Sequence, residues 1–462
     1  MSVISILRQR SRLEFFISIL IIILCILVGF IMPSHPWGWL LLAGFGGLVI
    51  LLVANYFPTV TIILLLASSI LAQNLKPIFP ILDPYKNLGP FAMRIYDPFV
   101  FSILGVIILK TLLSDKSALR FWKKSNTALK LLAVVIILQT LRTIPRYGIN
   151  ALGEARTYYS QLILIPYISI NYDTPEKRKK LLKVLLIISF SIIPVAILRG
   201  GLQPNVALRV RWISASGMLA IVYGGFVLLI ANNHKLFQTN WLVKISAYIA
   251  GGSLLLFTAH RSVWLAFGVG LITLFLLKEL HISKQLGMLL LGLTVLQLVL
   301  RGFELVGHDP IYFLNQRILA FTNPTADPTA RWRKNLWVEA WKHIRQFPIL
   351  GNGLGKHFQL VIPGEEVTTS PHNLYLTIAY QVGIPALILY LIFVSVLFFR
   401  SLSFMDRGVN NIDHTIVIIG EVVILTAHAY YMAYVFDWVT LSYLGLVYSA
   451  LIFNRSDTKN GI

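Results

Sequence analysis

Cysteine occurs once in the 462 residues, as Cys25, which excludes an intrachain disulfide, a cysteine-based zinc site and an iron–sulfur cluster. Charge is scarce as well. Only 13% of the residues are charged, where a soluble domain carries roughly 25%, and Asp and Glu together number 19. With 56% of the chain hydrophobic, a water-soluble globular fold is excluded. Lys and Arg number 40, for a net charge of +21, a surplus that in a soluble protein would point to nucleic acid. Here the basic residues stand between long apolar runs, so no nucleic-acid partner is expected.

A helix needs about 20 apolar residues to cross a bilayer. On that measure the runs near 13–31, 37–54, 58–72, 98–113, 129–145, 155–170, 181–199, 213–231, 242–259, 262–277, 285–301, 374–399, 412–435 and 437–453 read as spans. The expected fold is an all-α polytopic membrane protein of about 12 to 14 transmembrane helices. The first run follows Arg8, Arg10 and Arg12 but lacks an A-x-A cleavage site, so it reads as a signal anchor. Three regions follow: an N-terminal transmembrane bundle over 1–301, a large outer loop over 302–373, and C-terminal transmembrane helices over 374–462, all in one integrated membrane domain.

Cytoplasmic loops gather Lys and Arg. Lys116, Arg120, Lys123 and Lys124, the run Lys177 to Lys180 and the N-terminus fall on one side when these spans are threaded, which makes both termini cytoplasmic. The other face is rich in Arg instead, a cost that the orientation rule does not explain. Arg carries a planar fork matched to phosphate oxygens, so an anionic ligand at the outer membrane surface is implied, alongside contacts to membrane lipids.

Four of these arginines stand out. The apolar stretch 241–277 is too long for one span and is interrupted around His260, Arg261 and Ser262, which puts Arg261 at an outer turn. Arg209 and Arg211 precede the span starting at Ile213, in a loop whose Pro204 and Asn205 favour a turn. Within the outer loop, Asp327 as N-cap, Pro328 at the first helical position and Pro348 beyond the end predict a helix near 328–347. On it Arg333, Trp337, Ala340, Trp341 and Ile344 share a face, while Arg331 points away. An interfacial helix with its tryptophans at headgroup depth fits the same pattern.

His372 lies in Ser370-Pro371-His372-Asn373, where Ser370 reads as N-cap and Pro371 as first helical residue. An imidazole in the first turn stays neutral beside the positive helix end and accepts a proton, and the free N–H groups there suit an anion. A structural histidine at a membrane boundary would give the same spacing.

Beyond these single residues, Arg333-Lys334-Asn335-Leu336-Trp337, Pro348-Ile349-Leu350-Gly351-Asn352-Gly353-Leu354-Gly355, and His372-Asn373 followed after nine residues by Gly383 and Ile384-Pro385-Ala386 together resemble the signature of the O-antigen ligase and polymerase superfamily. Members carry an R-x-x-x-W helix, a P-x-x-G-x-G-x-G turn and an H-N pair ahead of a G-x-x-G. Ala386 stands where the last glycine is usual. The resemblance implies a GT-C-like bundle in the bacterial inner membrane. It also implies a metal-independent glycosyltransferase without cofactors, moving a glycan from an undecaprenyl-diphosphate donor to an acceptor hydroxyl on a glycan or glycolipid at the outer face. His372 would activate the acceptor, Arg211, Arg261 and Arg333, with Arg209, would hold the diphosphate, and Asn373, Gly351, Gly353 and Trp337 would support the site. Direct displacement would invert the anomeric centre.

Rival motifs are weaker. Gly351 to Lys356 looks like a phosphate loop but is followed by His357 instead of Ser or Thr. Glu339, His343 and His357 form a loosely spaced metal set. A multi-span transporter of an anion or lipid-linked sugar remains the alternative, with Glu421, His428 and Asp437 as a proton relay.

Overall fold

The computed structural model describes residues 47–71, 96–202, 214–234, 236, 261–279, 328–355, 360–362, 365–367, 370–405, 412–432 and 438–453. The expected signal anchor, the first part of the span near 37–54, the spans near 242–259 and 285–301, the expected cap Asp327 and the relay candidate Asp437 lie outside them.

Among the described residues the architecture is all-α apart from one antiparallel pair of three-residue strands. In chain order the helices are α1 (Gly47–Tyr56), α2 (Pro58–Leu66, continued by a π-turn at Ala67–Leu71), α3 (Asp97–Leu112), α4 (Lys116–Lys124), α5 (Thr127–Tyr147), α6 (Ile149–Asn171), α7 (Pro175–Leu202), α8 (Ala215–Asn233) and α9 (Arg261–Leu276). After them come α10 (Pro328–Gln346), strands β1 (Leu360–Ile362) and β2 (Glu365–Val367), then α11 (Leu374–Gln381), α12 (Ile384–Met405), α13 (Ile412–Tyr431) and α14 (Trp438–Ile452). Among the described residues α5, α12 and α13 are each long and apolar enough to cross a membrane. The bent pairs α1–α2 (118°) and α3–α4 (95°) qualify when each pair is taken as one span.

The surface is inverted relative to a soluble protein. Phe101, Ile108, Leu138, Leu141, Ile187, Ile272, Phe275, Ile388 and Phe399 are exposed, whereas Thr61, Gln139, Ser169, Arg178, Glu421 and Ser449 are buried. Apolar side chains outside and polar ones inside suit a lipid solvent, in which polar groups must find partners within the protein. Helix hydroxyls obey this by donating to the carbonyl one turn back: Thr140 to Ile136 at 2.7 Å, Ser169 to Ile165 at 2.8 Å, and Thr426 to Val422 at 2.7 Å.

Two ends of the bundle have different chemistry. At one, the buried Arg178 of α7 forks onto Asp413 of α13 (2.8 and 2.7 Å) and donates to Tyr172 O and Ser449 Oγ, both at 3.2 Å. Lys110 donates to Asn171 at 2.6 Å, and Ser117 and Lys177 both donate to Asp173 at 2.7 Å. These bonds gather the C-terminal ends of α3, α6 and α14 with the N-terminal ends of α4, α7 and α13. The stretch Lys110 to Lys130, read above as a loop, contains α4, capped by Asp115 accepting from Ser117 N and Ala118 N. At the other end Arg156 pairs with Asp97 at 3.0 Å and the rings of Tyr96 and Trp438 lie 5.7 Å apart, which brings together the starts of α3, α6 and α14.

The run 374–399, expected as one span, is broken at Val382 and Gly383 into α11 and α12. Gly383 has φ +105°, and a Cβ there would sit 2.0 Å from the carbonyl oxygen of Ile349. Chain contact, which hydropathy does not encode, ends the first helix.

Candidate active site

Helix α10 runs Pro328–Gln346, close to the expected limits. Its buried stripe is Leu336, Ala340 and Ile344, joined by Trp332 and packed on Ala379, Tyr380, Leu376, Ile384 and Leu387. That stripe differs from the expected one. Ala340 and Ile344 are buried as expected, whereas Trp341 is 43% exposed with Arg345 over its ring at 6.0 Å, and Trp332 joins the stripe. The apolar floor of α11 and α12 selects the i, i+4, i+8, i+12 row. Arg333 is half-buried and one turn before Trp337, on the same face, while Arg331 is exposed.

Two tryptophans of α10 reach the segment ahead of α11. Trp337 Nε1 donates to Pro371 O at 2.8 Å, and the Trp332 ring lies 5.6 Å from the His372 imidazole. His372 is half-buried and has φ +50°. A non-glycine residue in that region costs about 1–3 kcal/mol and persists only where the surroundings over-determine it, which is a recurrent property of functional positions.

The expected capping is corrected here. Asn373, not Ser370, is the N-cap of α11: its Oδ1 accepts from Leu376 N at 3.1 Å and its Thr377 partner donates a hydroxyl to the Asn373 carbonyl at 2.7 Å. His372 therefore precedes the helix instead of standing in its first turn. Asn and Ser are equally good N-cap types, and Asn373 takes the role because it stands immediately before Leu374, within reach of the free N–H groups.

Gly351 and Gly353 belong to a different construction at the far end of α11, roughly 12 Å away along the helix. The turn Pro348 to Gly355 has φ +59°, +103° and +87° at Gly351, Gly353 and Gly355. It is bonded to the α11–α12 break by Asn352 N to Tyr380 O (2.7 Å), Gly353 N to Gln381 O (3.1 Å) and Ile384 N to Pro348 O (2.8 Å). Gln139 Nε2 donates to both Leu350 O (2.6 Å) and Gln381 O (2.9 Å), and Arg142 donates to Leu350 O at 3.0 Å. The turn spends its backbone groups on the protein and serves as a clamp for the helix break. Tyr158 and Glu154 extend the same network through the Gln381 side chain, at 2.6 and 3.0 Å.

Arg261 opens α9, which packs antiparallel along α13: a Cβ at Gly270 would meet Thr426, and His234, bonded to Glu279 just beyond α9, has its ring 5.8 Å from that of His414. The start of α9 thus lies toward the Met432 end of α13, the end to which Asn373 Nδ2 donates, at 3.4 Å. His372, Asn373, Trp337, Arg333 and Arg261 are accordingly at one end of the bundle. Arg209 and Arg211 lie outside the described residues. Glu339 is paired with Lys342 at 2.8 Å and lies 3.8 Å from His343, and His357 lies outside the described residues.

Residues 246–391, which take in α9, α10, the glycine turn, His372 and the start of α12, match the family model of the O-antigen ligase. That segment is similar to the O-antigen ligase family. The matched segment contains the R-x-x-x-W, glycine-turn and H-N motifs, so the family assignment and the geometry fall on the same residues. No curated protein matches the chain. The similarity supports an O-antigen ligase-like glycosyltransferase reading for that segment.

Several parts of this architecture were missed in the sequence. Trp332, Gln139, Gln381 and Tyr375 carry contacts in the site or its clamp. Gln139 and Gln381 had a signal available, since an uncharged amide isolated in an apolar span needs a partner.

Proposed function

We propose that this protein transfers a glycan from an undecaprenyl-diphosphate donor to an acceptor hydroxyl at the outer face of the inner membrane, without a metal and with inversion. His372 takes the proton of the acceptor O–H, the oxygen forms its bond to the anomeric carbon, and the bond from that carbon to the diphosphate oxygen breaks, its electron pair leaving with the lipid diphosphate. Arg333 and Arg261, with Arg211 and Arg209, neutralise the charge that grows on the leaving group, which is the larger electrostatic contribution. The N-terminal bundle 1–301, the outer loop 302–373 and the helices 374–462 act as one unit, with the lysine-rich end and both termini in the cytoplasm.

The observation that carries this reading is His372: half-buried, at φ +50°, and beside Trp332, at the end of the bundle that also holds Arg333. The transporter alternative is less well supported, because His428 is engaged with Tyr375 beside this segment and is no free step in a relay with Glu421.

Purified His372→Ala protein, assayed with lipid-linked donor and acceptor, is expected to lose transfer by roughly 10²- to 10⁴-fold with folded yield unchanged. Turnover near that of the parent would reject the assignment of the base. The parent assayed in chelator should keep its activity, and loss that a divalent ion restores would reject metal independence.

A further inference from the structure

We propose that Tyr375 and His428 form a positioning pair that holds His372 in its left-handed backbone conformation, a role that rests on reading His372 as the base. On the N-terminal side the segment is tied by Trp337 to Pro371 O at 2.8 Å. On the C-terminal side Asn373 caps α11 and its amide reaches Met432 O only at 3.4 Å, a long bond for this purpose. Tyr375 supplies the stronger tie. Its phenol oxygen is hydrogen-bonded to His428 Nδ1, and the two ring planes are 4° from parallel with centroids 6.0 Å apart.

His428 is in the last turn of α13 and Met432 follows its end four residues on, and their partners Tyr375 and Asn373 flank Leu374. The bundle therefore grips the start of α11 at two points, immediately after the strained residue. With Tyr375 as donor, His428 is the neutral tautomer carrying its proton on Nε2. Packing alone does not call for this pair: Tyr390 lies 6.4 Å from the Tyr375 ring, and an aromatic ring without the hydroxyl would fill the same space. A polar pair inside a lipid-embedded bundle is costly, which favours a role for it in the chemistry.

The test uses the full-length purified protein with lipid-linked donor and acceptor. Tyr375→Phe is expected to lower kcat roughly tenfold while the donor KM stays within about twofold, as a displaced base requires. His428→Ala should do the same, and His428→Gln, which keeps an acceptor for the phenol, should recover most of the loss. The double variant Tyr375→Phe/His428→Ala should be no worse than either single one. Unchanged kcat in Tyr375→Phe, losses that multiply in the double variant, or losses matched by a fall in folded protein would each overturn the proposal. His372→Ala separates the two readings. An active His372→Ala protein removes the base and the pair together, whereas an inactive one beside a fully active Tyr375→Phe removes the pair alone.

Discussion

Arg333 and Arg331 share a helix and differ by about 200° around it, so they separate recognition of a diphosphate from attachment to headgroups. Arg333 is half-buried on the Trp337 face and Arg331 is exposed. If Arg333 forks onto the donor, Lys there keeps the charge and loses the bidentate geometry. Arg333→Lys should lose most transfer activity and Arg331→Lys should keep most of it, measured with lipid-linked donor at matched expression. Equal tolerance would return Arg333 to lipid contact. The types and spacing of Arg333, Trp337 and His372 were legible in the sequence because they are local. Trp332 was not, since its nearness to His372 depends on how α10 sets down on α11.

The glycines of the clamp show how an element boundary is made. Gly383 combines φ +105° with a Cβ position 2.0 Å from Ile349 O, whereas Gly148, between α5 and α6, combines φ +57° with open space. Gly148→Ala should therefore cost only the left-handed conformation, roughly 1–2 kcal/mol. Gly383→Ala also forces the Pro348 to Gly351 strand of the turn away from the break, on the order of 3 kcal/mol or more. Thermal unfolding in detergent should show a modest drop for the first and a large drop or loss of folded protein for the second. Similar shifts would mean that conformation alone sets the cost. The sequence read the P-x-x-G-x-G-x-G motif correctly as a family mark. That its backbone is spent on Tyr380, Gln381 and Ile384 needed the fold.

Across the whole molecule, the lysine-rich end is fastened by one buried ion pair. Arg178 is fully buried and its fork on Asp413 joins helices that are distant in sequence. Removing one partner leaves a charge without its counter-ion in a low-dielectric site, at about 3–5 kcal/mol. Asp413→Asn should lower the thermal midpoint in detergent markedly. The double variant Arg178→Met/Asp413→Leu should recover part of that loss, because burying two ions is itself expensive. A double variant less stable than Asp413→Asn would show that the pair contributes more than its desolvation cost. Arg178 was read in the sequence as one cation of the topogenic run Lys177 to Lys180, and composition offered no reason to separate it from its neighbours.

Hydropathy and short motifs, being properties of neighbouring residues, were enough for the apolar helical class, for the positions of α5, α8, α9, α10 and α14 within about two residues, and for the family motifs. Tertiary structure decided where the run 374–399 breaks, that Asn373 and not Ser370 caps α11, that Trp341 faces outward, and that Tyr375 meets His428. In a bundle whose helices are nearly all apolar, hydrophobicity distinguishes lipid from water but not one buried face from another. The choice between faces falls to close backbone contacts and to the few polar groups that must be paired inside.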